Sequence, residues 1–309
     1  MPGKSYHGPL LPITKEEKGK MDELRMDVEK LAGEIGERNV WRYRNLISCA
    51  DFLEESLTKA GYKVNRQEYE ASGKNCRNIE AEIKGTDKAH EIIIIGAHYD
   101  TVEGSPGAND NASGVAALLA IARAFARVKT SRTVRFVFFT NEEPPFFTTG
   151  EMGSLVYAKE CRKHNDNVVA MLCLETIGYY TDEPGSQDYP FPLSYFYPTT
   201  GNFIGFVGNI ASKKLVRRIV ASFRKHTQFP SEAAALMDFI TGISWSDQWS
   251  FWQQGYPAVM VTDTAFFRYS YYHTGADTPQ NIKYDRLARV VNGLEKVIQD
   301  LAVIPSLSG

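Results

Sequence analysis

His98 and Asp100 sit two residues apart in Gly96-Ala97-His98-Tyr99-Asp100-Thr101, and Asp110 follows in Gly107-Ala108-Asn109-Asp110-Asn111-Ala112-Ser113-Gly114. Later in the chain come the pair Glu142-Glu143, then Glu175, then His273. Two imidazoles with several carboxylates make a mixed nitrogen and oxygen donor set. Such a set suits zinc, or manganese or cobalt, better than calcium. A carboxylate shared between two ions about 3.5–4 Å apart would clamp both sides of a tetrahedral intermediate. Alternate residues of an extended chain point to one face, so His98 and Asp100 can cooperate where Tyr99 cannot.

Taken singly, each residue has an ordinary reading. A histidine at a strand end usually serves as a hydrogen-bonded structural residue, and a Glu-Glu pair is usually solvated surface. The segments in front of them argue otherwise. Ile92–Ala97 carries four consecutive β-branched residues, too stiff at χ1 to favour a helix, and reads as a buried strand leading to His98 and Asp100. Thr133–Thr140 has no polar residue between Phe136 and Phe139 and ends at Glu142-Glu143, with two prolines fixing the turn. Val168–Leu174 ends at Glu175, and Pro257–Thr262 leads into the loop carrying His273. Ionised carboxylates at such strand mouths are expensive unless paired or bound to metal. If these strands lie side by side and parallel, all the groups converge on one rim, where open α/β sheets hold ligands.

The other elements must support that rim. Residues 1–13 read as an irregular arm, and Thr14–Ile35 as an amphipathic helix opened by a Thr14/Glu17 capping box. Leu46–Ala60 is a second helix. Lys63–Glu70 and Arg77–Lys84 alternate apolar and polar residues as an antiparallel hairpin would. Val115–Val128, Gly153–Lys163, Ser212–His226 and Asp285–Ala302 read as helices, Ser246–Gln254 as a helical turn and Phe203–Val207 as a strand. Residues 181–202 read as an ordered, aromatic-rich surface excursion and 229–245 as irregular. Strands alternating with helices indicate an α/β chain with a mixed sheet, residues 1–35 packing on one domain formed by 36–309.

The totals bound the function. A net charge of −2 over 309 residues gives no sign of a nucleic-acid or anionic-membrane partner. Apolar runs stop far short of the roughly 20 residues that span a bilayer. Met1-Pro2-Gly3-Lys4 lacks an apolar signal core, so the sequence as written is expected to remain cytoplasmic. Cys49, Cys76, Cys161 and Cys173 form no C-x-x-C pair and are expected to be reduced, mostly buried thiols.

His98-Tyr99-Asp100, Ala108–Gly114, Asn141-Glu142-Glu143, Met152-Gly153-Ser154, Ser246-Asp247-Gln248, Gly255-Tyr256-Pro257-Ala258 and Tyr272-His273-Thr274, in that order, resemble the motifs of the M28 zinc peptidases. These are co-catalytic aminopeptidases related to glutamate carboxypeptidases and glutaminyl cyclases. The resemblance implies a three-layer α/β/α sandwich around a mixed sheet, two divalent ions, most simply Zn2+, and a peptide or small amide substrate. It implies that His98, Asp110 and Glu175 hold one ion, and that Asp110 bridges to a second held by Glu143 and His273. Glu142 would be the general base and Asp100 would orient His98. Two positions depart from the pattern: Glu175 stands where many members have Asp, and Gln248 where many have His, which implies an altered pocket. Tyr179, Phe266, Phe267 and Tyr272 are the candidate substrate pocket. Arg268 reads as a surface arginine that could otherwise grip a substrate carboxylate. The expected function is an aminopeptidase; a glutaminyl-peptide cyclotransferase or a binding module without catalysis are the alternatives on the same scaffold.

Overall fold

The structure, a computed structural model, describes residues 1–303, so the last six residues of the expected 36–309 domain lie outside the described residues. The first helix, α1 (Lys15–Val28), opens with the expected capping box: Thr14 Oγ1 accepts from Glu17 N while Glu17 accepts from Thr14 N. The second half of that expected helix widens into a π-helical segment, Glu29–Ile35, and stops at Gly36 in the left-handed region. Helix α2 (Tyr43–Lys59) leads to a hairpin of β1 (Val64–Ala71) and β2 (Lys74–Ile83). Its turn is only Ser72-Gly73, both at positive φ, as a two-residue hairpin loop requires.

Next come β3 (Lys88–His98), α3 (Gly114–Phe125), β4 (Arg132–Phe139), α4 (Gly153–Lys163) and β5 (Asn167–Glu175). The chain closes with β6 (Ile204–Asn209), α5 (Lys213–His226), β7 (Ser231–Leu236), α6 (Gln248–Gln253), β8 (Ala258–Thr262) and α7 (Tyr284–Ala302). All eight strands form one mixed sheet in the order β1-β2-β4-β3-β5-β8-β6-β7. The central run β4-β3-β5-β8 is parallel throughout, so the carboxyl ends of these four strands share one edge.

The isoleucine run of β3 shows how the layers are divided. Ile93 and Ile95 pack into a core shared with α1, α2, α3, α5 and α7, while Ile92 and Ile94 face the smaller core under α4 and α6. A strand covered on both faces needs apolar residues at every position, which is why its sequence shows no alternation. The architecture is the three-layer α/β/α sandwich the resemblance implied. All four cysteines are free and buried. No helix among the described residues is long and apolar enough to cross a membrane.

One expectation is overturned. Within residues 229–245, read as irregular, Ser231–Leu236 forms β7, paired in parallel with β6 at the sheet edge. Ser-Glu-Ala-Ala-Ala-Leu has little β propensity of its own, and the backbone of β6 recruits it. The excursion at 181–202 contains only a short 3-10 turn, Leu193–Tyr195.

Phe136 is fully buried and meets Tyr62 and Phe125 edge-on at 6.0 and 6.2 Å between ring centroids. Phe136→Ala is expected to cost about 3–5 kcal/mol, read as a lower urea midpoint with an unchanged slope.

Candidate metal centre

His98 is the last residue of β3 and is fully buried. Its Nε2 lies 3.3 Å from Asp110 Oδ1 and 3.2 Å from Glu175 Oε2. The other oxygen of Asp110, Oδ2, lies 3.1 Å from His273 Nε2, which is also 3.1 Å from Glu143 Oε2. Asp110 therefore turns one oxygen toward each imidazole. Two donor sets result, His98/Asp110/Glu175 and Asp110/Glu143/His273, each compact enough to hold an ion. The extra methylene of Glu175 does not take it out of reach, and Ser246 Oγ donates to its Oε2 at 2.6 Å. Glu142 belongs to neither set; its Oε2 is 3.9 Å from His98 Nε2.

The loop carrying Asp110 is held by side chains. Gly107 sits at φ +60°, and a Cβ there would approach Asp110 O to 2.3 Å. Asp277 accepts Asn109 N and Tyr269 Oη on one oxygen and Asp110 N on the other. Asn109 donates to Asp263 Oδ2 and accepts Gly178 N, while Asn111 donates to Leu174 O and accepts Thr176 N. Asp110 is thereby pinned to the end of β5, where Glu175 emerges. Gly114 lets the loop lie against β5, since a Cβ would come within 2.5 Å of Leu174 O.

Asp100 does more than face His98, whose Nδ1 lies 3.5 Å from its Oδ1, long for a hydrogen bond. Its two oxygens accept the N–H groups of Glu142 and Glu143, each at 3.1 Å. One carboxylate thus fixes the turn after β4 from the end of β3. Arg38, fully buried, donates to the carbonyls of Leu31, Gly36, Tyr99, Pro106 and Gly107, binding the N-terminal segment to the loops on either side of Asp100. Nothing in the sequence singles out Arg38, because its acceptors are backbone groups. Asp277 reads in sequence as an ordinary turn acid, four residues after His273.

The electrostatics are severe. Burial, opposed by His98 and reinforced by Glu143 and Glu175, holds Glu142 well above the usual carboxylate range. Burial and the Asp110 carboxylate, against His273, push Glu143 up to about 7. Burial raises Asp247 to about 7 although His98 opposes it, and both Asp247 oxygens lack a hydrogen-bond partner. Burial works against protonating His273, but Asp110 and Glu143 outweigh it and lift His273 to about 10. Asp110 moves down: burial would raise it, and hydrogen bonds from His273 and His98 overcome that. His98 Nδ1 and Nε2, His273 Nε2 and Glu143 Oε1 are buried without hydrogen-bond partners. Orphaned donor atoms among excess buried negative charge fit a pair of divalent cations.

Phe266, Phe267 and Tyr272 line an apolar pocket of about 100 Å³ that adjoins Glu175. Tyr179 does not line it: its ring packs 4.8 Å from Tyr269 and its N–H donates to Asp263, whose position it shares in the loop support. Gln248 is not in the pocket either, being buried with its amide donating to Ile243 O. Arg268 is no surface residue. It is 8% exposed, with Nε donating to Gln187 Oε1 and Nη1 to Phe203 O, because the excursion at 181–202 folds over it.

Comparisons with known proteins bear on the family and the fold. The sequence profile described as peptidase family M28 matches residues 78–298. The uncharacterized protein YfbL of Escherichia coli is 37% identical over 282 residues, covering 88% of this chain and 86% of that protein. Leucine aminopeptidase 2 of Trichophyton rubrum is 40% identical over 80 residues, only 26% of this chain and 15% of the fungal protein. Among solved structures, the zinc aminopeptidase BSAP of Bacillus subtilis superposes with a TM-score of 0.75 at 14% identity, covering 96% of this chain and 97% of that one. A glutaminyl cyclase of Bacteroides thetaiotaomicron gives 0.69 at 19% identity, over 91% and 97%. These two likenesses show a common fold. Because the profile match spans most of its length, the chain belongs to peptidase family M28 and is a metal-dependent peptidase.

Proposed function

We propose that the chain is an aminopeptidase that holds two divalent ions, zinc by the chemistry of the donors, and removes N-terminal residues from peptides. The observation that carries this reading is Asp110, whose oxygens face one imidazole each. His98, Asp110 and Glu175 would hold one ion, and Asp110, Glu143 and His273 the other. When bound, such ions lower the pKa of coordinated water and polarise the scissile carbonyl.

The protein's own groups supply the rest. Glu142 is buried beside the cluster, outside both donor sets, and burial holds its carboxyl above the usual carboxylate range. A carboxyl made more basic in this way can take the proton of the attacking water and return it to the departing amine. Asp100 keeps Glu142 in place by binding its backbone N–H, so the base is aimed by a residue two positions past the end of β3. The pocket beside Glu175 and Tyr272 receives the side chain of the residue being removed and excludes water around it.

A glutaminyl cyclase shares the fold, and a binding module could as well. Two complete donor sets with a free carboxylate beside them favour hydrolysis over either. A cyclised product from a Gln-initiated peptide, without release of free amino acid, would reverse that preference.

Metal analysis of purified protein is expected to return about two equivalents per chain. Treatment with 1,10-phenanthroline should abolish cleavage of aminoacyl anilides, and added zinc should restore it. Glu142→Gln should lower kcat by at least about 10²–10⁴-fold with the metal content unchanged; a normal rate in that variant would remove Glu142 as the base. Asp277→Asn, whose single side-chain oxygen cannot accept from both Asn109 N and Asp110 N, should weaken zinc affinity by about 10–100-fold in a competition titration while circular dichroism stays unchanged.

A further inference from the structure

The aminopeptidase reading leaves open which side chain enters the pocket, and the pocket walls carry that information. The floor is the sheet face made by alternate residues of β6, β7 and β8, among them Gly205, Ala234 and Met260. Three loops complete it: the excursion at 181–202, through Tyr189 and Tyr197, the segment between β7 and α6, through Gly242 and Trp245, and the turn after β8, through Phe266 and Phe267. The charged groups in the lining are Glu175, at the metal end, and Glu232, whose carboxylate lies 3.9 Å from the Arg224 guanidinium. The space between is apolar. At about 100 Å³ and open at its mouth, it is of the order of the ~150 Å³ apolar cavity that takes up a benzene ring.

Aromatic rings mark the route from solvent to the cluster. Trp245, 49% exposed, stacks on Phe266, 39% exposed, with centroids 5.4 Å apart and planes at 30°. Phe266 meets Phe267 at 4.2 Å and Tyr272 at 5.8 Å. Tyr272 in turn stacks on His273 at 3.8 Å and 15°. A half-exposed tryptophan stacked on a half-exposed phenylalanine at a cavity mouth leaves ring faces for a further ring to cover.

The roof is held rigid. Arg268 donates to Gln187 Oε1 at 2.7 Å and to Phe203 O at 2.8 Å, Gln187 donates to Thr264 Oγ1 at 2.9 Å, and Asp188 N donates to Phe267 O at 2.8 Å. These bonds join the excursion to the turn after β8 behind Phe266 and Phe267, so this side of the pocket is formed before a substrate arrives and loses little ordering entropy on binding.

We propose that this pocket selects substrates with a large aromatic N-terminal side chain, phenylalanine, tyrosine or tryptophan, and that Trp245 and Phe266 are the residues that set the preference. The proposal rests on the aminopeptidase reading of the metal cluster and adds the substrate class. An aliphatic side chain fills part of the apolar volume but cannot stack. Alanine leaves most of the volume empty, and lysine has only the already paired Glu232 to meet.

The test uses the full-length, zinc-loaded protein with phenylalanyl, leucyl, alanyl and lysyl anilides, and separate titrations with free L-phenylalanine and L-alanine followed by tryptophan fluorescence. The expected kcat/KM for the phenylalanyl substrate exceeds that for alanyl by about 100-fold or more and that for leucyl by about threefold or more. Trp245→Ala should bring the phenylalanyl/leucyl ratio to about one, chiefly through KM, and Trp245→Phe should restore it. A leucyl, alanyl or lysyl optimum, or a ratio unmoved in Trp245→Ala, overturns the proposal and leaves the aminopeptidase reading standing. If no anilide is cleaved, the aminopeptidase reading fails and the titrations decide: tighter binding of phenylalanine than alanine supports the aromatic pocket, and equal binding overturns it.

Discussion

The structure turns on the burial of Asp110. A carboxylate taken out of water is costly unless positive charge surrounds it, and this one has an imidazole facing each oxygen. Everything around it serves to hold that geometry. Asp277 and Asp100 spend their own carboxylate oxygens on backbone N–H groups, at Asn109 and Asp110 in one case and at Glu142 and Glu143 in the other. Hydrogen-bonded in this way, the acids around the centre are split between donors aimed inward and supports aimed at the chain. The surplus negative charge that remains is what two cations would neutralise.

The parallel run β4-β3-β5-β8 makes the arrangement possible because four chain segments that leave one sheet edge can converge without long detours. Each strand contributes a different part. The end of β3 brings His98, the turn after β4 brings Glu142 and Glu143, and the end of β5 brings Glu175. The loop after β8 carries Phe266 and Phe267 into the apolar pocket before reaching His273, so that pocket and the second donor set share one segment. The knot of Arg268, Gln187 and Thr264 fixes that segment from behind. Arg268 also stacks over Phe203 at 4.4 Å, which offsets part of the cost of burying its charge.

Much of this was legible in the chain. The β-branched run at Ile92–Ile95, the apolar strand before Glu142 and the strand before Glu175 were recognisable by local pattern, and the acids at their ends stood out because an apolar strand seldom ends in unpaired charge. The strand Ser231–Leu236 was not legible, since its pairing depends on β6 and its Glu, Ala and Leu residues favour a helix on their own. Arg38 was invisible for a related reason: its acceptors are carbonyls, which every residue has. The burial of Arg268 is not legible because exposure of a loop residue depends on which other loop covers it, and the excursion at 181–202 has no periodicity that locates it.

By itself the sequence determined which residue types were available at each strand end, and therefore the donor chemistry, because strand formation and side-chain alternation are local properties of a short segment. The tertiary structure decided which donors lie within reach of one another. It also decided that Asp110 turns one oxygen to each imidazole, and that Glu142 stays outside both sets. Those are distances between segments far apart in the chain, set by strand order and by side chains bonded to distant backbone, and no local pattern encodes them.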